Sequence, residues 1–87
     1  MSVEVVIYSS DYCGYCHRAK QLLNSKDVKY VELAVDTDLS LRKEMISKSG
    51  RQTVPQIWIG DKHIGGCDEL YHLEGLGELN NLLNIMK

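Results

Sequence analysis

The chain has 87 residues, 44% hydrophobic and 25% charged, which suits a single compact domain over 1–87 and leaves little room for a second. Ten basic against twelve acidic residues give a formal net charge of −2, so nothing in the charge balance calls for nucleic acid or an anionic membrane as a partner. No apolar run is long enough to span a bilayer, and the first ten residues lack the basic start and long apolar centre of a signal peptide, so a cytoplasmic location is expected.

Val3 to Tyr8 is rich in β-branched residues and bounded by Ser9-Ser10-Asp11, which predicts a buried strand ending in a turn. From Gly14 to about Ser25 the apolar positions Cys16, Ala19, Leu22 and Leu23 recur at helical spacing. Val28 to Leu33 alternates as a second strand, and Asp38 is placed to cap a helix from Leu39 to Ser49 that stops at Gly50. After Thr53-Val54-Pro55 come a strand from Gln56 to Ile59, a Gly60-Asp61 turn and a short strand from His63 to Gly65, a hairpin. A short helix follows from Asp68 to Leu73. Leu79, Leu82, Leu83 and Met86 then make the stripe of a terminal helix, read as core and not as an interaction face. A βαβα order followed by ββα has few compact solutions. It predicts an α/β arrangement: a four-stranded mixed sheet flanked by helices on both faces.

Three cysteines make a poor disulfide framework, and in a reducing compartment a close pair is more often catalytic or metal-binding than structural. Cys13-Gly14-Tyr15-Cys16 is a CxxC pair at a strand-to-helix junction, the context of a redox motif. Unpaired N–H groups and the dipole at a helix start favour an anion, hence a thiolate at Cys13. Cys16 falls in the first turn on the apolar face, where burial disfavours charge, so it suits the resolving role. A zinc site wants four soft ligands, and only Cys67, His17, His63 and His72 remain to join the pair. Cys13 to His17 also matches the CxxCH pattern of covalent haem attachment, against which stand the missing export signal and the strong strand before it. An inert buried pair is the third alternative.

Four segments in order, Val6-Ile7-Tyr8 leading to the CxxC, Thr53-Val54-Pro55, the hairpin, and Gly65-Gly66-Cys67-Asp68, make the whole chain resemble the glutaredoxin family, most of all its small bacterial dithiol members. The resemblance implies a thioredoxin-like fold and a monomeric, glutathione-dependent thiol–disulfide oxidoreductase that reduces glutathionylated or disulfide-containing proteins. It makes Cys13 the nucleophile and Cys16 the resolving thiol, and it sets Tyr15 along the glutathione groove. It also implies a cis peptide before Pro55, with Val54 offering its backbone to the cysteinyl part of glutathione and Thr53 beside it. Arg51 and Gln52 would meet a glutathione carboxylate, Gly66 would let the backbone approach the ligand, and Asp68 would accept the α-ammonium. The bland readings are an ordinary loop at Thr53-Val54-Pro55, a solvated cation at Arg51 and a simple N-cap at Asp68. Cys67 reads as a small half-buried filler beside the groove, with a minor redox role as the alternative. His17, His63 and His72 read as ordinary polar surface residues.

Two positions depart from the family pattern: Ser10, where many relatives carry a basic residue, and Gly14, where the commonest dithiol motif has proline. Gly14 leaves open a second function, a [2Fe–2S] cluster held between two protomers by two Cys13 thiolates and two glutathiones. A thioredoxin-like reductase is less in keeping with the chain, whose single tryptophan, Trp58, lies in the hairpin and not before Cys13.

Overall fold

Along the first strand Val5 and Ile7 face one way and Val6 and Tyr8 the other, and that alternation divides the molecule into two apolar layers around one sheet. The computed structural model describes residues 3–84. In chain order it contains β1 (Val5–Ser9), α1 (Gly14–Ser25), β2 (Val31–Ala34), α2 (Leu39–Ser49), β3 (Gln56–Ile59), β4 (Lys62–Gly65), α3 (Cys67–Gly75) and α4 (Leu79–Leu82). The sheet order is β2-β1-β3-β4, with β1 and β2 parallel and the other two pairs antiparallel. This is the four-stranded mixed sheet that the element order predicts.

Helices cover both faces. Ala19, Leu22 and Leu23 of α1, Cys67 and Leu70 of α3, and Leu79 of α4 pack with Val5, Ile7, Ile57, Ile59 and Ile64. On the opposite face α2 sets Met45 against Tyr8, Val35 and Trp58. Asp38 caps α2 by accepting the N–H groups of Ser40 and Leu41, and Gly50 ends it in the left-handed conformation at φ 72°, where a side chain would be strained. Both ends fall where the sequence puts them.

Several boundaries differ from expectation: β1 runs over Val5–Ser9 and not Val3 to Tyr8, β4 opens at Lys62 and not at His63, and α3 runs on to Gly75 and not only to Leu73. The second strand starts at Val31 and not at Val28, because Val28 N–H bonds back to the Leu23 carbonyl at 3.2 Å and helps close α1. Helix α3 begins at Cys67 with Gly66 as its N-cap, since the Glu69 carboxylate reaches back to the Gly66 N–H at 2.6 Å. Asp68 is therefore inside the first turn and is not the cap. The terminal stripe is seen as α4 with Leu79 fully buried and Leu83 at its end, while Met86 lies outside the described residues.

Candidate active site

Strand β1 delivers the chain to a polar turn that is tied down before α1 begins. Ser10 Oγ donates to Asp36 at 3.1 Å, the Asp11 N–H reaches the same carboxylate oxygen at 3.2 Å, and the Cys13 N–H bonds the Ser10 carbonyl at 3.3 Å. Ser10 thus serves as a loop anchor where many relatives have a cation. The result is that Cys13 is the N-cap of α1, with extended backbone and its sulfur accepting the N–H of Cys16 at 3.3 Å. In the thiol form it also donates to the Val54 carbonyl at 3.5 Å. Cys13 is half-buried, and its flanking tyrosines are open: Tyr12 is 95% and Tyr15 59% exposed.

Cys16, one turn into the helix, is completely buried in the same helix face as Ala19 and Leu23. Burial, seconded by its hydrogen bond with Cys13, pushes its thiol up to about 12. The two sulfurs are chemically unequal, one accessible at a helix end and one held neutral in the core. All three cysteines are free thiols.

Beside Cys13 the chain between α2 and β3 turns through a cis Val54–Pro55 bond, as the resemblance implies. This loop and the start of α3 enclose a cavity of about 330 Å³ lined by Tyr15, Arg51, Thr53, Val54, Pro55, Gln56, Gly66, Cys67, Asp68 and Glu69. Eight of the nine binding positions expected from sequence line it. Gln52 does not; its carbonyl takes a hydrogen bond from Arg42 on α2. Gly66 passes so close to the proline loop that a Cβ there would stand 3.2 Å from the Pro55 carbonyl, so a glycine is what lets α3 start against the loop.

The floor of the cavity carries charge of both signs. Arg51 Nη1 lies 3.6 Å from Glu69 Oε1, and Asp68 stands next to it in sequence. The Gly66 N–H, with Arg51 contributing less, holds the Glu69 carboxyl below the usual range. Cys67 lines the same space but belongs to the core layer under α1, and burial pushes its thiol up, in keeping with a filler.

Sequence reasoning missed Gln56 and Glu69. Glu69 had a local signal, the spacing of a glutamate three residues after the N-cap at Gly66. Gln56 had none, since it reads as an ordinary polar residue opening a strand. His63 needs correction too: it is not a surface residue but is half-buried, with its ring 4.6 Å from that of Trp58. Among the described residues no group of three or more His, Cys, Asp or Glu is placed to hold a metal ion.

A thiol pair of unequal burial at a helix start, set against a proline loop on this sheet, defines a thiol–disulfide oxidoreductase of the thioredoxin fold. Comparison with known proteins narrows the class. The glutaredoxin family model matches residues 5–64, and the chain belongs to the glutaredoxin family of glutathione-dependent oxidoreductases. It is 56% identical over 79 residues to Glutaredoxin 3 of Escherichia coli strain K12, covering 91% of this chain and 95% of that protein. Against the glutaredoxin of Pseudomonas aeruginosa the identity is 54% over 80 residues, with 92% and 95% covered. Among solved structures, a buckwheat glutaredoxin–glutathione complex superposes with a TM-score of 0.87 at 33% identity, covering 94% of this chain and 77% of that one. The Brucella melitensis glutaredoxin matches with a TM-score of 0.84 at 49% identity, with 94% and 89% covered.

Proposed function

We propose that Cys13 is the nucleophile, that Cys16 is the resolving thiol, and that the cavity beside them receives the glutathione part of a protein–glutathione mixed disulfide. The observation that carries this reading is the position of the Cys13 sulfur, half-buried at the start of α1 and 3.5 Å from the carbonyl of Val54 on the cavity wall. Glutathione is a tripeptide with two carboxylates and one ammonium. Arg51 matches a carboxylate, Asp68 the ammonium, and the Val54 backbone an extended cysteinyl residue, while Tyr15, Thr53, Pro55, Gly66 and Cys67 shape the walls.

In the one-thiol route the Cys13 thiolate attacks the glutathione sulfur of the mixed disulfide. The substrate protein leaves as its thiolate, and glutathione stays joined to Cys13. A second glutathione thiolate attacks that glutathione sulfur, releasing glutathione disulfide and restoring Cys13. On a protein disulfide Cys13 instead joins the substrate, and Cys16 displaces the reduced protein by closing the Cys13–Cys16 bond. Fully buried in the first turn of α1, Cys16 is reached only by a disulfide already formed on Cys13 beside it. The enzyme is expected to act as a cytosolic monomer. No described helix is long and apolar enough to cross a membrane.

Glutathione-dependent reduction of a glutathionylated peptide, coupled to glutathione reductase, tests the assignment. Wild type and Cys16→Ser are expected to turn over and Cys13→Ser to be inactive. An active Cys13→Ser protein would sink it.

A [2Fe–2S] cluster is the second reading. One chain does not supply its ligand set, so Cys13 from two chains and two glutathione thiolates would be needed. The observation in its favour is the open space around Gly14, where an added Cβ meets nothing within 4 Å, so nothing crowds the approach to Cys13 there. Anaerobic reconstitution with iron, sulfide and glutathione should give a brown dimer that Cys13→Ser cannot form. A colourless monomer under those conditions would reject the cluster.

A further inference from the structure

Gln56 is the larger of the two buried polar side chains recorded in the core, with no exposed surface at all, yet it sits on the wall of the cavity. A carboxamide in that position costs stability unless all of its groups are bonded, and these are. Its Nε2 donates to the Thr53 carbonyl at 3.0 Å and approaches Thr53 Oγ1 at 3.3 Å, and its Oε1 lies 2.8 Å from His63 Nε2.

These partners fix the orientation by chemistry. A backbone carbonyl can only accept, so the amide must turn its NH2 toward Thr53 and its oxygen toward His63. An oxygen can only accept as well, so His63 must carry its proton on Nε2. Burial, with Arg51 adding to it, holds the imidazole below its ordinary range, so the ring stays neutral near pH 7. The ring itself is held by Trp58 at 4.6 Å, and Trp58 by Tyr8 at 5.3 Å and the Lys48 ammonium at 5.0 Å. A line of fixed side chains thus runs from the α2 face of the sheet through His63 and Gln56 to Thr53, next to Val54 and Pro55.

We infer that the His63–Gln56 pair is a positioning device for the binding loop: it holds the Thr53 carbonyl in place, and so sets the backbone of Val54 that receives the substrate. His63 acts through Gln56 and touches no reacting atom. The inference rests on the reading of the cavity as the glutathione site. It adds a residue from β4 that has no place in the cavity wall.

The test is a double-mutant cycle on turnover of a glutathionylated peptide, using His63→Phe, Gln56→Met and the double variant. Phenylalanine keeps a ring against Trp58 but cannot donate. Each single change should raise KM about five-fold, the effect of one net hydrogen bond, with kcat changed less than two-fold. The double variant should be no worse than the poorer single one, since both cut the same line. Cys16, buried in the first turn of α1, should stay as protected from iodoacetamide in all three as it is in wild type, which reports an intact fold. An unchanged KM in His63→Phe, or single effects that multiply to about 25-fold in the double variant, would overturn the inference. Labelling of Cys16 in the variants alongside lost turnover would also overturn it, as general damage to the fold. A wild-type enzyme that turns over without saturating in the glutathionylated peptide would reject the cavity reading itself, and this inference with it.

Discussion

The difference in burial between the two motif cysteines comes from one helical turn. Cys13 is half-buried at the start of α1, whereas Cys16 is fully buried and pushed up to about 12. At pH 7 brief treatment of the reduced protein with iodoacetamide is expected to modify Cys13 alone, leaving Cys16 and Cys67 untouched, which peptide mass spectrometry reads directly. In Cys13→Ser protein the alkylation of Cys16 should still lag, because burial, its largest cause, survives the substitution. Its rate should climb about ten-fold per pH unit beyond the ordinary thiol range near 8.5. Prompt labelling of Cys16 at pH 7 would contradict its burial. Arg51 makes the companion case on the cavity floor. It is half-exposed and shares its charge with Glu69, so the contact proposed for it with a glutathione carboxylate would be screened. Arg51→Ala should raise KM for the glutathionylated peptide about three- to ten-fold, and the difference from wild type should shrink as salt is added, which steady-state assays at two ionic strengths will show.

Elements bring these residues together, and the ties between elements are few and specific. Glu32 on the edge strand β2 accepts from Lys20 of α1 at 2.8 Å and from Ser9 of β1 at 2.6 Å, joining three elements beside the motif. The Lys20 ammonium, with Ser9 second, holds the Glu32 carboxyl below its usual range. A carboxyl with a lower value in the folded chain contributes stability that is present above its unfolded value near 4.3 and is lost as pH falls through the folded value. Glu32→Gln should therefore cost about 0.5–1 kcal/mol at pH 7 and progressively less as the pH is lowered below about 4.3, as measured by a series of urea unfolding curves. What the sequence revealed at this scale were features with local causes. Cys13 before Gly14, Asp38 two residues ahead of Ser40, and Gly50 after Ser49 each announce a helix end by their own chemistry. The start of β2 was not legible, because Val28 is apolar and β-branched but its N–H is claimed by the end of α1. The bond between Gln56 and His63 was hidden for a related reason. It depends on the register of β3 against β4, which pairs Trp58 with His63 and carries an irregularity beside Ile57. No pattern in one strand encodes that.

Across the whole molecule the site is held where the two apolar layers meet the ends of the strands. The layer under α1, α3 and α4 fixes Cys67, Cys16 is buried on the same face of α1 as Ala19 and Leu23 of that layer, and the layer under α2 fixes Trp58, behind His63. Both layers are built on the two central strands β1 and β3, so neither has a sheet of its own to keep if the other is lost. Leu79 of α4 tests this coupling, being fully buried in the first layer, while Trp58, the chain's single tryptophan, reports from the second. Leu79→Ala removes buried methyl groups and leaves a cavity, a change that costs about 2–5 kcal/mol. A domain of this size has about 5–15 kcal/mol to lose, so the melting temperature should fall by about 10 °C or more. If the layers form one cooperative unit, Trp58 fluorescence and far-ultraviolet circular dichroism will shift together and share one midpoint. A Trp58 transition that stays at the wild-type temperature while the dichroism moves would mean that the α2 layer stands alone. The proline loop, supported through Trp58, His63 and Gln56, would then keep its form after α4 had come away.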